Sequence, residues 1–233
     1  MSTPSAGSLR ARVRAELTDQ IKAVARRHLG VDGADLSLRA VARELGMVSS
    51  AVYRYFPSRD DLLTALILDA YNDIGAAGER ADAAVPRTDL TGRYLAVCRA
   101  TRHWALAHPH EYALIYGSPV PGYAAPPDTV DPAQRTVAVL AAILRDGYAG
   151  GALTVPPGER MPRQVRADLT RVLADPRFAG APAALLARGM TAWAALFGLI
   201  SFELFGRFET VISARDAYFE HQCRLLARFI GLP

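Results

Sequence analysis

Apolar residues fall at helical spacing along most of this chain. Leu9, Val13, Leu17, Ile21 and Val24 recur every three to four positions and predict one amphipathic helix from Leu9 to about Leu29, with a narrow buried stripe. Residues 1–8 are small and polar and read as a disordered arm ahead of it. Gly30 is expected to close the helix, with VDGADL as the turn. Two short helices follow. Leu38 to Leu45 places Val41, Ala42 and Leu45 on one apolar face, and Ser49 to Tyr55 points Val52 and Phe56 inward. Ser37 offers an N-cap oxygen to the first of them, and Gly46 stands where the chain must reverse, a place that favours positive φ. Ser58 with Asp61 three residues later reads as a capping box, so a fourth helix starts at Arg59 and runs to about Ala84 on Leu62, Leu63, Leu66, Ile67, Ala70, Tyr71 and Ile74.

The second half continues in the same period. Thr88 to Ala107 is helical, Pro109 ends it, and a short helix covers Glu111 to Tyr116. GSPVPGYAAPPD, with six prolines and glycines in twelve residues, is a loop. Ala133 to Tyr148 forms the next helix, residues 149–162 a second loop, and Val165 to Leu173 a shorter helix. Pro182 opens a helix to about Phe208 that is apolar almost all round, and Arg215 to Ile230 carries one apolar stripe with Glu220 and Arg224 paired outside it. The expected fold is all-α: a disordered arm (1–8), a three-helix helix-turn-helix domain (9–58), a connecting helix that acts as a rigid lever (59–84), and a helical C-terminal domain (85–233). Two apolar C-terminal helices meeting their symmetry mates make a four-helix bundle. Leu196, Ile200, Leu204, Phe219, Gln222, Leu226 and Phe229 are the expected interface residues of that homodimer.

Charge sharpens the picture. The chain has 233 residues and a net charge of +4. Residues 1–60 hold ten Lys/Arg against six Asp/Glu, while residues 61–233 hold seventeen of each, so the whole excess sits with the first helices. Such an asymmetry is the footprint of a segment that meets phosphates. Arg10, Arg12 and Arg14 lie at the start of a helix whose dipole would prefer anions, a conflict that a phosphate backbone resolves. The two cysteines, Cys98 and Cys223, form no CxxC pair, so neither zinc nor a structural disulfide is expected. The first residues lack the apolar run of a signal peptide, and Gly189 to Phe202 is too short an uncharged stretch to cross a bilayer. A soluble cytoplasmic protein without a membrane partner is expected.

Ala42, Gly46 and Val52 give the packing of a helix-turn-helix: a small residue where two helices cross, a glycine at the reversal, a β-branched residue beneath. The second helix of such a motif enters the major groove. Its first turn here presents Ser49, Ser50 and Ala51, with Tyr53 and Arg54 one turn on. Serine hydroxyls reach base edges or phosphates, alanine packs on a thymine methyl, and arginine binds guanine bidentately. Arg39 is placed for a phosphate.

The succession Ala-x-x-x-Gly, Tyr-x-Tyr-Phe and Ser-Arg-x-x-Leu within SLRAVARELGMVSSAVYRYFPSRDDLLTAL (37–66) resembles the N-terminal domain of the tetracycline-repressor (TetR) family of bacterial transcription regulators. That resemblance implies an all-helical homodimer, a palindromic double-stranded operator and an effector bound by the C-terminal domain. It places DNA contacts at Ser37, Arg39, Ser49, Ser50, Ala51, Tyr53, Arg54, Tyr55 and Arg59. Val48 departs from the pattern, which often has a polar residue there, and the cap is expected to move to Ser49. AWAALFGLISFEL (192–204) resembles the Trp-x-x-x-His-Gly signature of one C-terminal subfamily, with Phe197 in the histidine's place.

For the effector, a small hydrophobic or aromatic molecule, the candidate residues are Tyr71, His103, Trp104, Tyr112, Tyr116, Tyr123, Met190, Trp193 and Phe197. His103, His108, His110 and Glu111 lack the i, i+4 spacing of helical metal ligands, and no metal or cofactor is expected. Nothing matches GxSxG, Walker A or a dinucleotide fingerprint, so an enzyme is not expected. The alternative is a ligand- or metal-sensing helical protein that acts as an activator or without DNA.

Overall fold

The helical periods of the sequence become ten α-helices among the described residues of the computed structural model, which are 6–32, 36–154 and 160–233. They are α1 (Ala6–Asp32), α2 (Leu38–Glu44), α3 (Ser49–Val52), α4 (Arg59–Ala83), α5 (Leu90–Ala107), α6 (Pro109–Tyr116), α7 (Val130–Ala149), α8 (Arg163–Val172), α9 (Ala183–Leu204) and α10 (Arg215–Ile230), with a 3₁₀ turn at Pro127–Thr129. No strand occurs among the described residues. Residues 1–5 of the expected arm, and parts of the expected turn at 31–36 and loop at 149–162, lie outside them.

The helices group into two compact units. The first contains α1 to α3, α4 as far as Ala70, and the segment Pro109–Thr129; the second contains Tyr71–His108 and Val130–Pro233. The chain therefore leaves the first unit within α4, returns for α6 and its following loop, and leaves again before α7. Residues 109–129 thus join the N-terminal helices, a departure from the expected split at residue 85.

The first unit closes around Ile21, Val24 and Leu29 of α1, Val41 and Ala42 of α2, Val52, Phe56, and Leu62, Leu63 and Leu66 of α4. Fully burying one such leucine or isoleucine contributes about 1.5–3 kcal/mol. Polar ties support the packing: Asp69 of α4 accepts from Lys22 (3.2 Å) and Arg26 (2.5 Å) of α1, and the hydroxyls of Tyr123 and Thr64 lie 2.9 Å apart. Two details of α1 differ from expectation. Leu9 and Val13 are exposed, so the buried stripe begins only near Ile21. Gly30 does not end the helix. It lies inside α1, where a Cβ would come within 2.8 Å of the His110 ring, so its role is to let α6 approach.

In the second unit α9 packs on α5, α7, α8 and α10, and α5 on α7 and α10. Leu185, Leu196 and Ile200 of α9 and Phe219, Cys223 and Ile230 of α10 are buried. Both cysteines are free buried thiols. At 22 residues α9 is long and apolar enough to cross a bilayer by length and composition, counting beyond the uncharged stretch read in the sequence. Its charged ends are engaged inside this unit: Glu203 takes two bonds from Arg102 of α5 (2.7 and 2.6 Å), and Arg188 donates to the Phe229 carbonyl (2.6 Å).

Arg93 of α5 is fully buried. Its Nε and Nη2 donate to Asp82 (2.7 and 3.2 Å) and its Nη1 to Asp146 (2.9 Å), which ties α4, α5 and α7 together. Burial opposes ionisation of Asp82, but hydrogen bonds from Arg93 and then Arg87 outweigh it and hold the carboxyl below the ordinary Asp value.

Candidate nucleic-acid interface

Ser37 caps α2 by accepting from the Ala40 amide (3.4 Å), and Val41 and Ala42 face the core. The reversal runs through Gly46 at φ 66°, the left-handed region that a side chain resists. The Met47 amide returns to the Ala42 carbonyl (2.9 Å), which fixes the angle at which α3 leaves. Val52 is wholly buried beneath α3 and anchors it.

α3 is shorter than the seven residues expected. After Val52 the bonds mix two spacings, Arg54 N–H to Ala51 O (3.3 Å) and Tyr55 N–H to Val52 O (2.9 Å) of 3₁₀ type beside Phe56 N–H to Val52 O (3.0 Å), before Pro57. The cap does not move to Ser49. Val48 occupies the N-cap position with no side-chain hydrogen bond, and both serines lie inside the helix. Ser58 then opens α4 as the capping box requires on one side, accepting from the Asp61 amide (3.1 Å). Its hydroxyl donates back to the Asp61 carboxylate (2.6 Å).

The residues expected at DNA differ in exposure. Ser37, Arg39, Ser50, Tyr53 and Arg54 are exposed, and Ser49, Ala51, Tyr55 and Arg59 are half-buried. Arg59 lies 3.4 Å from Asp60. Two further residues stand next to these. The Arg14 guanidinium lies 5.1 Å from the Tyr55 ring centroid and donates to the Arg54 carbonyl (3.3 Å), so α1 braces the end of the reading helix. Val48 is 72% exposed at its start. The spacing of Arg14 from Tyr55 carries no local signal; the polar-to-apolar change at Val48 was visible. Arg12 pairs with Glu16 at 2.9 Å, which offsets one of the three arginines at the front of α1. Arg14→Ala should weaken duplex binding about three- to ten-fold, a loss of roughly 0.5–1.5 kcal/mol. Fluorescence anisotropy checks this, with Arg12→Ala as the control.

The nine effector candidates fall in both units. Tyr112, Tyr116 and Tyr123 belong to the first, where Tyr112 is buried against Tyr116 with ring centroids 5.1 Å apart. Tyr71, His103, Trp104, Met190, Trp193 and Phe197 belong to the second. There Trp193 and Phe197 form a tilted pair at 5.5 Å, while His103 and Met190 are exposed. Trp104 stacks on His108 (5.0 Å), and its buried indole N–H meets no acceptor among the described residues. A cleft of about 710 Å³ opens in the second unit beside Asn72, Glu79, Arg135, Val139 and Arg177, and none of the nine lines it. The histidines are placed separately: His108 Nδ1 lies 2.9 Å from the Trp104 carbonyl, His110 packs on Gly30, and Glu111 faces Arg26 at 3.8 Å.

The interface candidates differ in burial. Leu196, Ile200 and Phe219 are covered inside the protomer and form its core, and Leu204, Gln222 and Leu226 are only part-buried. Exposed apolar residues of α9 and α10 are Met190, Phe202, Leu225 and Phe229, the last of them an expected interface residue, and Phe202 also lines a hollow of about 350 Å³ with Gly198 and the expected Gln222 and Leu226. A helix that is apolar all round gives periodicity no means of telling the inward stripe from the outward one.

A small residue, a left-handed glycine and a buried valine holding a short helix outward define a helix-turn-helix protein of the DNA-binding class. Comparison with known proteins agrees. Residues 21–66 match the family described as bacterial regulatory proteins, tetR family, and residues 94–226 match the one described as tetracyclin repressor-like, C-terminal domain. The HTH-type transcriptional regulator Rv1816 of Mycobacterium tuberculosis is 38% identical over 221 residues, 94% of each chain. Among solved structures, the regulatory protein SCO4313 is 33% identical with a TM-score of 0.75, over 96% of this chain and 98% of that one. The TetR family regulator PfmR from Thermus thermophilus, 19% identical with a TM-score of 0.59 over 89% and 97%, shares the fold. The chain belongs to the TetR family of transcriptional regulators, DNA-binding proteins that act as dimers.

Proposed function

We propose that this protein is a cytoplasmic repressor that binds a palindromic operator as a homodimer and is released by a small hydrophobic or aromatic effector. The observation that carries the reading is the outward set Ser50, Tyr53 and Arg54 over a fully buried Val52, in the part of the chain that holds all the excess positive charge. Ser49, Ser50, Ala51 and Arg54 read base edges, and Ser37, Arg39, Tyr53, Tyr55 and Arg59 hold the phosphate backbone. The homodimer forms through the exposed face of α9 and α10. Release fits a population shift in which effector binding favours a state that cannot place two reading helices one helical turn apart. Two features of the second unit support an effector there: the buried indole N–H of Trp104, which meets no acceptor among the described residues, and the Trp193–Phe197 pair. The Trp-x-x-x-Phe-Gly sequence around that pair, a variant of the Trp-x-x-x-His-Gly signature, supports a C-terminal domain of the Trp-His-Gly type.

The test is a duplex selected from random oligonucleotides by the purified protein. Arg54→Ala should cost about 1–3 kcal/mol and relax preference at one base pair of each half-site. Arg39→Ala should weaken binding evenly across sequences and lower the salt slope by about one per half-site. If Arg54→Ala binds as wild type with its base preference intact, the reading helix has been misplaced.

A further inference from the structure

α3 starts without a side-chain cap. Ser, Thr, Asp or Asn at the N-cap would satisfy an amide of the first turn, and Val48 satisfies none. Its backbone is extended (φ −69°, ψ 140°), which any of those residues could adopt, so geometry does not require valine here. Packing does not require it either. The side chain is 72% exposed, while Val41 and Val52, on either side of the turn, are wholly buried. The fold thus forgoes a cap and leaves two methyl groups in water at the leading end of the reading helix, beside the exposed Ser50.

In the major groove one base differs from the others by an apolar group, the C5-methyl of thymine. An aliphatic side chain at the tip of a reading helix gains only where it meets that methyl and loses hydration against any other base edge. Ser49 and Ser50 accept many patterns, since a hydroxyl both donates and accepts. Discrimination at the leading end therefore falls to the apolar group. We infer that Val48 is a specificity-determining residue that packs on a thymine methyl in each half-site, a contact that a 5-methylcytosine in the same place would also supply. The inference rests on the proposed reading of operator DNA by α3.

The experiment uses the full-length protein and its selected duplex, with each thymine replaced singly by deoxyuridine, which lacks only the methyl. Burying one methyl-sized group corresponds to about four-fold in affinity, so wild type should lose about four-fold at one thymine of a half-site and about fifteen-fold when both half-sites are changed. Val48→Ser, which keeps the fold because the side chain is exposed and its hydroxyl can cap α3, should bind the thymine and deoxyuridine duplexes equally. Its thermal midpoint should equal or exceed that of wild type. Wild-type binding that is indifferent to every deoxyuridine overturns the inference. So does a loss that persists in Val48→Ser, which would belong to Ala51. If no duplex is enriched at low salt, the operator reading itself fails and takes the inference with it; enrichment with a flat deoxyuridine scan removes only the role of Val48.

Discussion

Arg93→Met should lower the unfolding free energy by about 3–5 kcal/mol, the cost of leaving a buried carboxylate without its main partner. For a chain of this size that is a fall of about 6–20 °C in thermal midpoint. Asp82, only 12% exposed at its side chain, would keep a single bond, from the largely exposed Arg87 at 2.6 Å. Asp146 would likewise lose its 2.9 Å donor. The size of the effect comes from the orphaned charge more than from the value of the pair, because buried ion pairs often do no better than an apolar replacement. The double variant Arg93→Met with Asp82→Leu should therefore recover much of the loss, and urea melts of the four members of the cycle measure the coupling. An Arg93→Met melt that overlays wild type would remove the triad from the account of stability.

Acid should expose the same triad. The Asp82 carboxyl is depressed in the folded state, so its contribution is complete above its unfolded value, near 4, and is lost as pH falls through the lower folded value. Glu79 and Glu220 act with the same sign, held down by hydrogen bonds from Arg135 and Arg99. Wild type should thus lose stability progressively below about pH 4, and the slope should be shallower in Arg93→Met because Asp82 no longer resists protonation as strongly.

What could be read in advance followed locality. Ala42, Gly46 and Val52 are close in sequence, and their packing needs only the turn between them, so the motif and its outward residues were legible. The Ser58–Asp61 box and the span Arg215–Ile230 were legible for the same reason. Arg93 was not. It stands between a glycine and a tyrosine like any surface arginine, and what buries it includes Asp146, fifty-three residues on. Gly30 misled because a glycine after a helical run ends a helix or admits a neighbour, and the neighbour here is His110, far along the chain. The effector candidates were chosen by residue type alone, which is why they divide between the two units.

The outward face of α9 and α10 leads to the other large effect. Phe202→Asp and Leu225→Asp, one on each helix and both exposed in the protomer, should leave a folded chain that sediments at 25.1 kDa instead of twice that mass. A charge placed in an apolar isologous contact is met twice, once from each copy, so a single substitution acts as two. Operator affinity should then fall by about a hundred-fold or more, because two half-sites are held tightly only when both reading helices are tethered in one molecule. The contrasting variant is Leu196→Asp. That residue is wholly buried between α9 and its neighbours, so it should abolish folding and give no soluble monomer to measure. Dimers that persist in both surface variants would move the interface off this face, whereas monomers that keep full operator affinity would separate recognition from dimerisation.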